Sequence, residues 1–133
     1  LLYFQRGSKS YFCFLGFEFN WGRSRFGKIV LKLRTERKKY RLALANFKVW
    51  CQESRGLRKP VLFAKLNQKL RGYWNYYGIR GNYESLNDYL QDVKRILFKW
   101  LNRRSQRCSY NWTGFIALID DFNLLKPRIC HDF

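Results

Sequence analysis

The chain has 133 residues, which is the usual length of one domain and too short for two comfortable hydrophobic cores. Hydrophobic residues make up 47% of it and aromatic residues 20%, which excludes a disordered basic tail, because such tails lack the apolar surface that offsets ordering entropy. Lys and Arg number 27 against 9 Asp and Glu, and the formal net charge of +18 indicates a polyanionic partner.

Membrane, secreted and metal-binding classes have little support. No window approaches the roughly 18 apolar residues of a spanning helix, and no charged N-terminal segment precedes a long apolar stretch. The four cysteines form no C-x-x-C pair, and the adjacent Cys130 and His131 are a poor pair of ligands for one ion. We therefore expect reduced thiols, no metal or cofactor, and a soluble protein that is cytoplasmic or organellar rather than secreted.

The first third of the chain has the composition of β-strands. Residues 11–21, YFCFLGFEFNW, and residues 28–34, KIVLKLR, are rich in aromatic and β-branched residues, and GRSRFG between them supplies hairpin glycines. We predict a β-hairpin, with LLYFQ at residues 1–5 as a third strand. GRSRFGK also matches the G-x-x-x-x-G-K of a phosphate-binding loop, but Ile29 replaces the required Ser or Thr and begins a strand, which favours the hairpin turn.

Helical periodicity begins at Thr35, a suitable N-cap for a first helix that ends near Glu53. This helix has two apolar sides, formed by Leu42, Ala45 and Val49 and by Leu44, Phe47 and Cys51. A helix that is apolar on two sides is expected to be sandwiched between neighbours.

Three further helices are predicted. The second starts near Pro60 and ends at Tyr77 before Gly78, with an apolar face formed by Leu62, Leu66, Leu70, Tyr73 and Tyr77. The third covers residues 83–104, with a stripe of Leu86, Tyr89, Leu90, Val93, Ile96, Leu97, Trp100 and Leu101. A shorter fourth helix covers 112–119 and precedes an extended tail. This order predicts a mostly α fold, with a small N-terminal sheet and a bundle of three to four helices.

Catalytic groups are not expected in this chain. Asp120 and Asp121 lie side by side like the magnesium-binding pair of polymerases, but they end a predicted helix instead of lying on a β-hairpin. His131 is the single histidine, so no obvious base is available for a Ser or Cys nucleophile.

Three stretches together resemble the C-terminal part of group II intron reverse transcriptases, also called maturases. FCFLGFEF at residues 12–19 resembles the strand that closes the palm domain, LNQKLRGYWNYYG at 66–78 is similar to the maturase-specific pattern, and LKPRICHDF at 125–133 resembles the end of the thumb. The resemblance implies a palm-end β-hairpin segment at 1–34 and a thumb, or domain X, at 35–133. It further implies a helical bundle that grips the template-primer duplex and binds intron RNA to assist splicing. The catalytic Y-x-D-D hairpin of the family is absent, so we expect no polymerisation by this chain alone.

The second helix places the residues of this maturase-like stretch on different faces. Tyr73 and Tyr77 share the core face, Trp74 and Tyr76 lie at its two borders, and Arg71 and Asn75 point outward. The predicted RNA-binding residues are Lys65, Lys69, Arg71, Trp74, Asn75 and Tyr76 on this helix, and Arg37, Lys38, Lys48, Lys94, Arg95, Lys99, Arg103 and Arg104 on the first and third helices.

Two more residues, Gly72 and Phe98, each have two alternative interpretations. Gly72 inside a helix costs about 1 kcal/mol relative to Ala, which indicates a close backbone approach, either of a neighbouring helix or of RNA. Phe98 lies among polar residues of the third helix and is expected to pack on a separate palm domain or to meet RNA. Two alternatives to the RNA-binding thumb remain: a structural module that docks onto a palm or fingers domain or onto another copy of itself, and a nonspecific DNA-binding protein.

Overall fold

The computed structural model describes residues 11–104 and 110–131. Three strands are followed by four helices: β1 (Tyr11–Phe14), β2 (Phe17–Arg23), β3 (Ile29–Thr35), α1 (Arg37–Glu53), α2 (Lys59–Tyr77), α3 (Tyr83–Arg104) and α4 (Trp112–Asp121). The predicted mostly α architecture with a small N-terminal sheet is confirmed. The strand predicted for LLYFQ lies outside the described residues.

The single strand predicted over residues 11–21 is wrong, because the chain reverses at Leu15 and Gly16. Both residues have a positive φ, 54° and 85°, which matches the backbone of a two-residue hairpin turn. Strands β1, β2 and β3 form one antiparallel sheet in that order. The predicted turn between β2 and β3 is confirmed, and there the Ser24 N–H donates to the Lys28 carbonyl at 2.8 Å.

The sheet has one apolar face, and the helices cover only one end of it. Strand register places Phe14 opposite Phe17 and Phe17 opposite Thr35, so these side chains share a face with Ile29 and Leu31. Phe17 and Thr35 are buried, whereas Phe14, Ile29 and Leu31 are exposed. The apolar face therefore extends beyond the bundle.

The four helices share one hydrophobic core. Its buried side chains come from α1 (Phe47, Cys51), α2 (Leu62, Phe63, Leu66, Leu70, Trp74), α3 (Leu86, Tyr89, Leu90, Val93, Leu97, Leu101) and α4 (Phe115, Ile119). The stripe predicted on α3 is confirmed, with Ile96 and Trp100 half-buried at its margin. None of the helices in the described part of the chain is long and apolar enough to cross a membrane.

The start of α1 differs from the prediction. Thr35 is the last residue of β3, and its hydroxyl accepts a hydrogen bond from Asn82 Nδ2 at 3.0 Å, so it is not the N-cap. Glu36 occupies that position without a side-chain capping bond. Burial of Thr35 between the sheet and α3 thus outweighs its capping preference.

The expectation that α1 is sandwiched is also wrong. Phe47 and Cys51 are buried, but Leu42 and Val49 on the other side are 54% and 51% exposed. Within the described residues, α1 packs along one side only and presents an apolar strip to solvent.

Phe98 packs against α4, and its expected contact with a palm domain or with RNA stays a prediction. Its ring packs edge-on against Trp112 and Phe115 of α4, each at 5.3 Å between ring centroids. Sequence periodicity on α3 alone could not reveal this contact, because α4 covers Phe98 from the side. Asp120 and Asp121 lie exposed at the end of α4, as expected.

Candidate nucleic-acid interface

One side of α2 holds the C-terminal tail. The Asn67 side chain accepts a hydrogen bond from Leu125 N at 2.9 Å and donates to the Asn123 carbonyl at 3.3 Å. The Trp74 indole is 0% exposed and donates to the Leu125 carbonyl at 3.4 Å. The prediction that Trp74 contacts RNA is therefore wrong, because both its ring and its N–H are used inside the protein.

The end of α2 meets the tail at very short range. The Gly78 carbonyl accepts hydrogen bonds from Cys130 N at 2.7 Å and His131 N at 2.9 Å. A Cβ atom on Gly78 would lie 2.2 Å from the Trp74 carbonyl oxygen and 2.7 Å from that of Arg128, so only glycine fits.

Asn75 is exposed, as predicted, but it also contacts the tail. Its Oδ1 accepts a hydrogen bond from the Cys130 thiol at 3.4 Å, and its carbonyl oxygen lies 3.0 Å from His131 Nε2. The described contacts of Asn75 are thus structural ones, and its RNA contact stays a prediction.

Tyr76 is an exposed aromatic residue held in a fixed position. Its side chain is 55% exposed, and its hydroxyl donates to the Leu15 carbonyl in the β1–β2 turn at 3.0 Å. The ring lies parallel to Phe17 at 6.4 Å between centroids and edge-on to Tyr77 at 4.6 Å. The sheet and helix together therefore fix the orientation of this ring.

A groove of about 480 Å³ lies between α1 and α2. It is lined by Lys39, Ala43, Asn46 and Phe47 of α1, by Lys69, Gly72, Tyr73, Tyr76 and Tyr77 of α2, and by Tyr89 of α3. Of the predicted RNA-binding residues, the groove brings together Lys69 and Tyr76. Lys39 and Asn46 were missed, because a single sequence gives the faces of each helix but not the alignment of one helix against another.

Gly72 lies on the groove and is exposed. Apart from its chain neighbours and the backbone of its own helix, a Cβ atom there would meet no described atom within 4 Å, so the expected close approach of a neighbouring helix is wrong. The groove is open at this residue.

The aromatic wall of the groove is uncharged near neutral pH. Tyr73 and Tyr89 stack at 3.8 Å between centroids, and burial raises the pKa of Tyr73 and raises that of Tyr89 to about 12. Burial also raises the pKa of Tyr77. The positive charge along the described lining therefore belongs to Lys39 and Lys69.

Most other predicted residues lie outside the groove. Lys38, Lys48, Lys65, Arg71, Lys99 and Arg103 are exposed, Arg103 lying over the Trp100 ring at 5.2 Å. Arg95 pairs with Asp92 at 3.2 Å on its own helix, and the half-buried Lys94 lines a second cavity beside the tail. The side chain of Arg104 lies outside the described part. These residues spread the positive charge over α1, α2 and α3 instead of concentrating it at one point.

Arg37 is engaged by a buried carboxylate. Glu18 lies 2.6 Å from Arg34 Nε and 3.6 Å from Arg37 Nε, and it accepts a hydrogen bond from the Arg37 backbone N–H at 3.1 Å. Burial alone would raise the pKa of the Glu18 carboxyl, but the hydrogen bonds and charges of the two arginines outweigh it and lower that pKa. This ion pair joins the sheet to the start of α1.

The family model described as "Group II intron, maturase-specific domain" matches residues 40–114, more than half of the chain. No curated protein and no solved structure matches the chain significantly. The matched segment contains all of α2 and α3 and most of α1, and so every residue of the groove except Lys39. The chain belongs to the group II intron maturase-specific domain family.

Proposed function

We propose that this protein is the RNA-binding module of a group II intron maturase, which binds intron RNA to assist splicing and grips the template-primer duplex in the complete enzyme. The observation that carries the proposal is that α2 has one set of residues buried in packing and another set of basic residues exposed to solvent. Leu70 and Trp74 are buried and Gly78 lies against the tail, whereas Lys69 and Arg71, on either side of Leu70, are exposed.

The charge distribution supports phosphate contacts as the main source of affinity. The 27 Lys and Arg exceed what the nine acidic residues can neutralise, which leaves a net charge of +18, and exposed Lys and Arg occur on α1, α2 and α3. Such contacts position a nucleic acid without reading its sequence, and RNA is then selected by its shape and its 2′-hydroxyls.

The test measures binding to a folded group II intron RNA and to duplex DNA of equal length over a range of salt concentrations. If about five phosphates are neutralised, the logarithmic salt slope should be on the order of −4. Arg71→Ala should flatten the slope by about one unit without lowering the unfolding temperature. Ala64→Ser, at an exposed position of the same helix, is the matched control.

Two results would contradict the proposal. A salt slope near zero would exclude phosphate contacts as the basis of binding. Equal affinity for the intron RNA and for the DNA duplex would favour the nonspecific DNA-binding alternative.

A second candidate function, docking onto a palm domain, is supported by the uncovered end of the sheet. Phe14, Ile29 and Leu31 share its apolar face and are exposed, and residues 1–34 are proposed to form the edge of a palm. Exposed apolar patches of this kind mark interaction sites. Leu31→Lys should weaken association with a separately produced palm domain in a titration, while RNA binding by the module alone stays unchanged.

A further inference from the structure

We propose that the groove between α1 and α2 holds a single unpaired nucleotide of the RNA, with its base stacked on Tyr76 and its phosphates between Lys39 and Lys69. The inference rests on the proposed RNA-binding function. It identifies the RNA feature that the module selects as a bulged or looped-out nucleotide.

Gly72 lies at an open part of the groove. Gly is among the least favourable residues in a helix interior, so a glycine there calls for a packing or functional reason. Packing does not supply that reason at Gly72, since a Cβ atom would meet no described atom within 4 Å apart from its chain neighbours and the backbone of its own helix. The open space beside Gly72 leaves room for the backbone of a bound nucleotide.

The Tyr76 ring is held in a position that suits stacking with a base. Single-stranded bases stack on aromatic side chains, and every base offers a face for this contact. The hydroxyl bond to Leu15 and the contacts with Phe17 and Tyr77 already hold the half-exposed ring in place. Because the ring is already ordered, stacking of a base on it costs little side-chain conformational entropy.

Two lysines place positive charge along the groove. Lys39 on α1 and Lys69 on α2 line the groove, and the Lys69 ammonium is held 5.5 Å above the centre of the Trp50 ring. The described lining contains no acidic side chain, and its buried tyrosines stay neutral at pH 7. Two cations beside a neutral aromatic wall are complementary to the phosphates and base of one nucleotide.

The shape of the groove favours an unpaired nucleotide over a duplex. Its volume of about 480 Å³ falls within the range of small-ligand pockets, roughly 300 to 1,000 Å³. A duplex keeps its bases stacked inside and cannot present one to a concave aromatic site, whereas bulges and loops present bases that can leave the stack.

The experiment compares an RNA hairpin that carries a single-nucleotide bulge with the same hairpin fully paired, and 2-aminopurine replaces the bulged base as a fluorescent probe. We expect the wild-type protein to bind the bulged hairpin about tenfold more tightly and to quench the probe, as stacking does. Gly72→Leu fills the groove and should reduce the affinity for the bulged hairpin to that for the paired one, with loss of quenching. Ala64→Leu, on the same helix outside the groove, should behave like the wild type.

Thermal unfolding confirms that each variant is folded, and Lys39→Gln provides a second test that leaves the helix interior unchanged. Lys39→Gln should lower the preference for the bulged hairpin severalfold. Retention of preference and quenching by Gly72→Leu and Lys39→Gln would overturn the inference. So would equal binding of the two hairpins by the wild type, although RNA binding would then stand. Failure of the wild type to bind either hairpin would overturn the proposed function itself.

Discussion

Gly72 and Gly78 belong to the same short stretch of sequence, but their surroundings differ completely. Gly72 lies within α2 and faces open space, whereas Gly78 caps the helix beneath the tail. The sequence alone does not show which glycine is closely packed and which faces open space, since glycine is compatible with both surroundings. The position of the tail decides between them, and the tail is distant in sequence.

Alanine substitutions at these glycines should therefore change stability in opposite directions. Gly72→Ala should raise the free energy of unfolding by about 0.5 to 1 kcal/mol, because it removes the helix-interior penalty without a clash. Gly78→Ala should lower it by about 1 to 3 kcal/mol, because the new methyl group overlaps backbone carbonyls. Urea denaturation of the two variants measures both changes, and a loss of stability at Gly72 would show that a neighbour occupies that space.

Glu18 is a second residue whose role depends on contacts distant in sequence. Its carboxylate is buried and joins Arg34 of β3 to the first residue of α1. The pKa of this carboxyl is lowered in the folded state, so its contribution to stability is complete above the usual carboxyl pKa of 4.5 and is lost as pH falls through the lower folded value.

Glu18→Gln should therefore destabilise the protein at pH 7 by about 1 to 3 kcal/mol, since hydrogen bonds to the charged group are lost. The difference in unfolding free energy between wild type and variant should shrink as pH falls below about 4.5. Denaturation curves at pH 7, 5 and 3 provide the measurement. A difference that stays constant over this range would exclude the carboxylate charge as its cause.

At the scale of elements, periodicity predicted helices α2, α3 and α4 to within two residues, but it did not predict which apolar faces have partners. On α1 the two apolar sides are alike in sequence, yet only the side with Phe47 meets the core. The turn at Leu15 and Gly16 was missed for a related reason: the apolar run continues through it without Asn, Asp or Pro to mark a reversal.

The two sides of α1 should respond differently to truncation. Phe47→Ala removes a buried ring from the core and should cost about 3 to 5 kcal/mol of unfolding free energy. Leu42→Ser on the exposed side should change it by no more than about 0.5 kcal/mol. Thermal unfolding monitored by circular dichroism distinguishes the two. A large loss for Leu42→Ser would mean that another part of the protein covers this strip in solution.

At the scale of the whole molecule, the site was only partly predictable. The composition indicated a polyanionic partner, and the wheel of α2 identified Lys69 and Tyr76, which line the groove. Lys39 and Asn46 come from α1, and the sequence contains no measure of how α1 and α2 align. Trp74 was misassigned because the tail, which completes its burial, is separated from it by two helices.

The folding unit should extend beyond the residues that match the family. The tail covers Trp74, forms hydrogen bonds with the Asn67 side chain and contacts Gly78. The tail residues that make these contacts all follow residue 114, where the family match ends. Deleting the chain after Asp121 should lower the unfolding temperature by several degrees, because it exposes the indole and leaves polar groups unpaired. A truncated protein with the wild-type unfolding temperature would show that the tail is dispensable.

The hydrogen bond from Tyr76 to Leu15 has a mechanical consequence. One end of this bond belongs to the helical bundle and the other to the tip of a hairpin, so the ring cannot keep its place if the hairpin tilts away. The sheet to which this hairpin belongs also carries the uncovered apolar patch of Phe14, Ile29 and Leu31. Tyr76 also lines the groove, so a docked domain that tilted the sheet would displace this ring through the hydrogen bond to Leu15 and the contact with Phe17.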